Sequence, residues 1–395
     1  MGGDRLAAPT SEEYAARLGA VRARMRSGDL ALLLVSDPAN LYYLTGYNAW
    51  SFYTPQLLAV PEDGEMVLFA RAMDAAGAHR TCFLGPEHVE GYPERLVHRR
   101  DEHPFDWVAD RIRDRGLLPT GGVVGIEMDA HFLTPKAFAA LESGLAPTPL
   151  VDCHELVNWV RAVKSDAEIA LMRTAARVAD AAMRAAVESV RVGAPQYVVA
   201  AEIQRAQVLG DGDAWGDFPA IVPLLPTSES ADTPHLTWSD RILADGDAVV
   251  VEIAGVHRRY HVPLARTVVL GSPPDGLAGL EAPVAEGLDA VLDSMRPGVP
   301  VGDAARAWDE VIGRHGLTKP SRLGYSIGIG YPPDWGERTI SIRADEATVL
   351  EPGMTFHVIC GMWLRDLGYE VSHSVVVTDS GVDRFSELPA ELVRR

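Results

Sequence analysis

The sequence predicts an α+β chain of two domains, a smaller α/β domain over residues 1–158 and a larger one over 159–395. Three observations carry this. Strand-like and helix-like segments alternate as far as about Leu150, the pattern of a small α/β domain. A capping box then opens a long amphipathic run, which marks the start of a second domain. The last third holds three strand-rich stretches, 249–267, 323–338 and 351–378, set between Gly and Pro punctuation and surrounded by further helices.

In chain order, residues 11–26 read as a helix and the apolar run 30–35 as a strand. The segment 36–56 is rich in aromatic side chains, which commonly fill cores and interfaces. The alternation continues through 66–70, 107–115 and 123–127 to a helix over 134–143. Ser165 and Glu168 form the S-x-x-E box, and Met172, Ala176, Ala179, Met183, Ala186 and Val190 carry the apolar face that follows. Further helices are expected over 196–208, 280–295 and 302–315, the last two ended by Pro297-Gly298 and by Gly316. Between them, 215–240 is a long irregular segment, and such loops in compact domains tend to carry function.

Composition excludes several classes. With 36 basic and 55 acidic residues the net charge is −19, which argues against a nucleic-acid or anionic-membrane partner, since phosphate contacts need clustered Lys and Arg. Cys82, Cys153 and Cys360 show neither metal nor redox spacing, so free thiols are expected. The N-terminal stretch is charged, without the apolar core of a secretory signal, and no run is long enough to span a membrane; a cytoplasmic location is the expectation.

Five ionisable residues, Glu252, His261, His357, Glu370 and His373, sit inside runs that favour burial. Such a group must be paired, neutralised or used. Pairing of Glu252 with Arg259 or Arg266 is the structural alternative to a chemical role. Gly324-Tyr-Ser-Ile-Gly328 matches the G-x-S-x-G elbow with Ser326 as nucleophile, but that turn must lead into a helix, and Gly330, Pro332 and Pro333 exclude one. The same glycines do not complete a G-x-G-x-x-G dinucleotide loop.

The three strand-rich stretches, together with 160–168 (VRAVKSDAE), resemble the creatinase and aminopeptidase P family. The resemblance covers nearly the whole chain and implies a C-terminal pita-bread domain preceded by a creatinase-type α/β domain. Its specific strings are SFYTPQ at 51–56, PHLTW at 234–238, EIAG at 252–255, RYHVPLART at 259–267, GYPPDWGE at 330–337 and TFH at 355–357. These resemble the branch that opens a cyclic amidine, the ectoine hydrolases. Metallopeptidase members hold two divalent metals on two Asp, one His and two Glu; those positions fall here on Glu252, Pro263, Tyr325, Ile359 and Ser372. Pro, Ile and Ser cannot supply such ligands, so no metal and no cofactor are expected.

The resemblance implies His235 as the acid–base residue, acting with Glu252 and Glu370 on a small-molecule cation. It also implies a homodimer in which Trp50, Phe52 and Tyr53 of one N-terminal domain wall the partner subunit's site. Tyr325, His357 and His373 are further site candidates, Trp335 or Trp238 would stack on a planar cation, and Arg343 or Arg338 would clamp a carboxylate. The expected reaction is metal-independent hydrolysis of a C–N bond in ectoine or a close relative, giving an N-acetyl diaminobutyrate-type product; direct water attack and a covalent adduct on a glutamate both fit. A creatine-like guanidino acid is the alternative substrate. Against it, Ala265 and Ile359 replace two glutamates of creatinase; for it, His373 stands where creatinase also has His and ectoine hydrolases are expected to be acidic. The alternatives from other classes are an X-Pro peptidase with a shifted metal site and a non-catalytic pita-bread binding module.

Overall fold

The computed structural model describes residues 9–118 and 121–395. Contacts divide the chain into two compact units, the first ending at Val160 and the second running Arg161–Arg395. The division lies at 160/161, inside a short helix, where the sequence reading set it at 158/159.

In the first unit, Thr10 caps α1 (Ser11–Ser27) by accepting the Glu13 N–H, and the apolar run that follows is β1 (Leu30–Val35). The aromatic segment begins with a helix the sequence reading did not assign, α2 (Pro38–Thr45), in which Asp37 caps the Ala39 N–H, Pro38 pre-sets the first turn and Gly46 ends it at φ 75°. There follow β2 (Leu57–Pro61), β3 (Val67–Arg71), α3 (Ala72–Thr81), β4 (Val89–Tyr92), α4 (Pro104–Asp114), β5 (Val123–Ile126), α5 (Pro135–Leu145), β6 (Leu150–Asp152) and α6 (Leu156–Arg161). The strands form one mixed sheet in the order β4-β3-β2-β1-β5-β6, and its core gathers Leu32, Leu34, Phe69, Phe105, Ile126 and Leu141. Buried Glu127 accepts the backbone N–H groups of Ser36 and Asp37 and the side-chain amide of Asn40, tying the entry of α2 to the end of β5.

The second unit opens with α7 (Asp166–Ser189), where Ser165 accepts the Glu168 N–H and Glu168 reaches back to the Ser165 N–H, the reciprocal box its sequence announces. Next come α8 (Gln196–Leu209), β7 (Ala248–His257), β8 (Tyr260–Val269), α9 (Ala278–Ser294), α10 (Val301–Arg314), β9 (Gly324–Tyr331), β10 (Asp334–Ser341), β11 (Thr355–Leu364), β12 (Leu367–Val377), β13 (Val382–Arg384) and β14 (Val393–Arg394). Each strand-rich stretch is thus an antiparallel pair. The sheet runs β13-β12-β11-β9-β8-β14, with β7 on β8 and β10 on β9. Every residue of β7 and β8 is buried, which accounts for apolar residues on both faces of the strands in place of polar alternation. Ser326 lies within β9, buried and hydrogen-bonded to Thr339 Oγ1 at 2.6 Å, and the chain turns into β10 instead of a helix, so no nucleophile elbow forms.

Two arginines that were candidate partners for Glu252 are engaged elsewhere. Arg259 is fully buried, its guanidinium 3.7 Å from the Phe218 ring centroid and 4.4 Å from that of Tyr331, and it donates to the carbonyls of Phe218 and Gly330 at 2.6 Å each. Arg266 donates to the carbonyls of Ala265, Ser372, Leu388 and Pro389. Cys82, Cys153 and Cys360 are free thiols, and among the described residues no helix is long and apolar enough to cross a membrane.

The seating of β7 on α7 depends on Gly255, where a Cβ would lie 2.1 Å from Ala179 N and 2.2 Å from Ala175 O. Gly255→Ala therefore forces strand and helix apart. Its expected cost is about 1–3 kcal/mol, read as a lowered denaturation midpoint in urea.

Candidate active site

The second unit contains a cavity of about 720 Å³ that brings together His235, Glu252 and Glu370 with Tyr325 and Trp335. Strand register explains the gathering. Glu252 on β7 pairs with Ala265 on β8, Tyr325 on β9 pairs with His357 on β11, and Ile359 and Gly361 on β11 pair with Ser372 and Glu370 on β12. Side chains alternate along a strand, so Glu370 and Ser372 share one face of β12 while Val371 and His373 take the other. At Glu252 the long loop is fastened to β7 by a reciprocal backbone pair, Leu224 N to Glu252 O at 3.0 Å and Glu252 N to Leu224 O at 3.1 Å.

His235 stands on that loop, and Gln196 at the start of α8 secures the loop on both sides of it. The Gln196 amide donates to Leu225 O at 3.0 Å and Thr227 Oγ1 at 2.8 Å, and its carbonyl accepts the Ser239 N–H at 2.9 Å and hydroxyl at 2.7 Å. Closer to the imidazole, the Leu225 N–H donates to Leu236 O at 2.9 Å. The backbone just before the lining residue Ile221 is held by His261, whose Nε2 accepts the Ala220 N–H at 3.0 Å while Nδ1 donates to Arg259 O at 2.8 Å. Both nitrogens of His261 are spent, and burial holds it neutral, well below its usual range.

The electrostatic centre of the cavity is a pair of acids. Glu252 is 5 % exposed and Glu370 is 1 % exposed, and neither carboxyl has a hydrogen-bonding or ion-pairing partner among the described residues. Burial, then the Glu370 charge, then Asp334 push Glu252 well above the ordinary carboxylate range. Burial likewise pushes Glu370 up to about 7, against a smaller pull from the Lys319 ammonium. Two like charges in a shared apolar enclosure favour either a bound proton or a bound cation.

On the same face of β11 as the lining residue Ile359, His357 Nε2 lies 2.8 Å from Ser372 Oγ, and His357 Nδ1 lies 3.4 Å from the Tyr325 hydroxyl. That hydroxyl accepts the Trp335 indole N–H at 2.7 Å. His357 is fully buried and held down to about 3 by burial and by nearby positive charge.

Other expected residues lie outside this cavity. His373 is buried on the opposite face of β12, and among the described residues neither ring nitrogen has a hydrogen-bond partner. His357 shares the face of β11 with Ile359 and hydrogen-bonds Tyr325 and Ser372 without itself lining the cavity, and Trp238 packs against the core of the second unit. Within the first unit Trp50 and Tyr53 are exposed, at 59 % and 58 %, whereas Phe52 is buried with its ring 5.3 Å from Phe132. Arg338 and Arg343 do not line the cavity, but Arg322 does, its guanidinium 4.3 Å from the Tyr325 ring centroid. Asp334 and Trp363 also line it, and Lys319 sits 4.0 Å from the Trp363 ring centroid. The signal for Lys319 and Arg322 lay in Lys-Pro-Ser-Arg at 319–322, one residue before the strand-rich stretch begins.

The five positions that the family resemblance aligns with metal ligands offer few donors for a metal. Glu252 keeps a carboxylate, but Ile359 is aliphatic, Ser372 Oγ is taken up by the Ala265 N–H and His357, and the Tyr325 hydroxyl is taken up by Trp335 and His357. Pro263 offers only a carbonyl, which accepts the Ser374 hydroxyl. Among the described residues no group of three or more His, Cys, Asp or Glu could hold a metal ion. This set does not fit a pair of divalent metals.

Comparison with other proteins agrees with this architecture. Residues 17–163 match the creatinase/prolidase N-terminal domain, and 170–379 match metallopeptidase family M24. The chain is 42 % identical over 390 residues to ectoine hydrolase of Halomonas elongata, covering 97 % of each chain. It is 40 % identical over 383 residues to an uncharacterized hydrolase/peptidase of Sinorhizobium fredii, covering 96 % of this chain and 97 % of that one. Its fold is similar to that of a prolidase from Thermococcus sibiricus, with a TM-score of 0.84 at 20 % identity over 98 % of this chain and all of the other. By this match, the chain belongs to metallopeptidase family M24, in the two-domain form with a creatinase/prolidase N-terminal domain.

Proposed function

We propose that this chain is a hydrolase that opens the C–N bond of a cyclic amidine, ectoine or a close relative, using protein acids and an imidazole in place of metals. The observation that carries this reading is the unpartnered pair Glu252 and Glu370 in one cavity with His235. A planar amidinium carries one delocalised positive charge and N–H donors, the complement of two carboxylates, and stacks on an aromatic face such as Trp335. Arg322 at the same cavity suits a carboxylate on the substrate. The similarity to an ectoine hydrolase supports the substrate class. His373, where the sequence departs from the expected acid, faces away from this cavity, so the departure leaves its charge unaltered.

An amidinium carbon is electrophilic without a Lewis acid. Glu252 and Glu370 fix the cation, and His235 takes a proton from the attacking water and returns it to the leaving ring nitrogen. Attack by a glutamate oxygen with hydrolysis of the resulting adduct uses the same groups. The product is an N-acetyl diaminobutyrate-type amine. The N-terminal aromatic residues Trp50 and Tyr53, exposed in one chain, support a homodimer in which they wall the partner's site.

The deciding experiment incubates chelator-treated protein with ectoine, hydroxyectoine, creatine and an X-Pro dipeptide and follows products by mass. Gain of one water by ectoine without added metal is expected; turnover of only the dipeptide, and only after adding a divalent metal, would replace this reading with the peptidase one. Glu252→Gln should lower kcat/KM by on the order of 10³-fold, because it strands the partner cation.

The Glu370 carboxyl must be ionised to hold the cation, so KM should fall by about tenfold as pH rises from 6 toward 8, through its value near 7. Stability moves the other way. The folded-state value of Glu370 is raised, so its contribution is fully present below the unfolded carboxyl range and is lost as pH rises through about 7. Glu370→Gln should therefore raise the melting temperature of the unliganded protein at pH 8.5 by several degrees and leave it nearly unchanged at pH 4.

A further inference from the structure

Two groups that can only donate close a chain of hydrogen bonds that reaches the cavity at Tyr325. At one end the Ala265 backbone N–H donates to Ser372 Oγ at 2.7 Å; at the other the Trp335 indole N–H donates to the Tyr325 hydroxyl at 2.7 Å. Between them His357 joins Ser372 through Nε2 and Tyr325 through Nδ1. Neither end group has a lone pair to offer, and a neutral imidazole supplies one donor and one acceptor. Those constraints set the direction of every hydrogen in the chain.

Ser372 receives the Ala265 hydrogen and has one of its own, for which His357 Nε2 is the acceptor. The ring hydrogen then resides on Nδ1 and points at the Tyr325 oxygen. The reverse tautomer leaves the Ser372 hydrogen buried without an acceptor, at a cost equivalent to about a tenfold to hundredfold preference against it. Tyr325 oxygen thus receives two hydrogens, one from His357 and one from Trp335, and the hydrogen left to it is directed into the cavity. Burial and the neighbouring Glu252 charge push this hydroxyl well above its usual range, so it stays protonated.

We propose that Tyr325 is the hydrogen-bond donor to the oxygen that adds to the amidine carbon, and that His357 is the positioning residue that fixes its direction. The proposal rests on the amidine-hydrolase reading of the cavity. A bound amidinium presents only N–H donors at its reacting carbon, so an O–H donor gains nothing from it in the ground state. The first acceptor to appear there is the added oxygen. One proton of the water passes to His235 and from it to the leaving ring nitrogen; the second leaves the added oxygen as the carbonyl forms and the C–N bond breaks, and it ends on the same nitrogen, which departs as an ammonium group. The Tyr325 O–H bond stays intact and is hydrogen-bonded to the oxygen throughout. An interaction made only after attack raises kcat and leaves substrate binding alone.

Neutron diffraction from deuterium-exchanged crystals tests the direction without any substrate. Deuterium on His357 Nδ1, none on Nε2, and a Tyr325 O–D turned to the cavity are expected; deuterium on Nε2, or an O–D turned toward His357, overturns the proposal. With ectoine, Tyr325→Phe should lose about 10²–10³-fold in kcat with KM unchanged, as for other single oxyanion donors. Ser372→Ala should lose part of the same kcat, and Ser372→Thr, which keeps the hydroxyl, should recover it. Wild-type kcat in Tyr325→Phe, or a loss carried by KM, overturns the role. Wild-type protein that leaves ectoine untouched defeats the functional reading, and the neutron result then decides the hydrogen-bond direction separately.

Discussion

Repulsion between two buried carboxyls is the constraint around which the second unit is arranged. Glu252 enters from β7 and Glu370 from β12, strands at different places in one sheet, and both are held in an enclosure with Ile359, Trp335 and Trp363. The Lys319 ammonium offsets only a smaller part of the burial penalty at Glu370, so the scaffold must supply the stability that the pair costs. It does so by burying β7 and β8 on both faces and seating α7 directly on the backbone at Gly255.

Among the described residues the pair makes no salt bridge: at the cavity Lys319 lies over the Trp363 ring and Arg322 over the Tyr325 ring, and the other buried cations are committed elsewhere. Arg259 is sandwiched between Phe218 and Tyr331 and spent on carbonyls, and Arg266 is spent on four carbonyls around β8 and the 388–389 segment. The Lys164 ammonium pairs with Glu337 at 2.6 Å. The buried imidazoles at 261, 357 and 373 are all pushed toward the neutral form. Polar groups therefore surround the acids, and none among the described residues hydrogen-bonds or ion-pairs with either carboxyl, which supports the proposed reading of the pair as a cation-binding site.

Much of this was legible in the sequence, and the limits have physical causes. The Ser165–Glu168 box, the apolar run of β1 and the three hairpins were readable because capping and punctuation are local signals. Helix α2 was hidden by its aromatic composition, although Asp37-Pro38 and Gly46 frame it. The association of His235, Glu252 and Glu370 came from motif resemblance, since residues so far apart in the chain meet only through strand register. His373 illustrates the converse: counting by two from Glu370 puts Ser372 on the cavity side and His373 on the other, a distinction that strand alternation offers once the strand is recognised. Arg322 escaped notice because the Lys-Pro-Ser-Arg string signals only by its place just before a strand-rich stretch, and its composition is that of a surface turn, although the guanidinium lies over Tyr325.

The positions that correspond to metal ligands show how one sheet can serve a different charge. A pair of divalent ions needs several anionic oxygens converging on each ion, and here four of the five positions are Pro, Tyr, Ile and Ser. Of these, Tyr325 and Ser372 have become links in a hydrogen-bond chain anchored by a backbone amide and an indole, while Ile359 contributes apolar wall. Charge survives at Glu252 and is joined by Glu370, two residues from Ser372 and on the same face of β12. On the proposed reading, fewer carboxylates, an apolar wall and donors with a fixed direction lower the positive charge the enclosure favours from that of a dinuclear centre to about that of one organic cation. The strand register need not change for this; the side chains at a few inward-facing positions suffice.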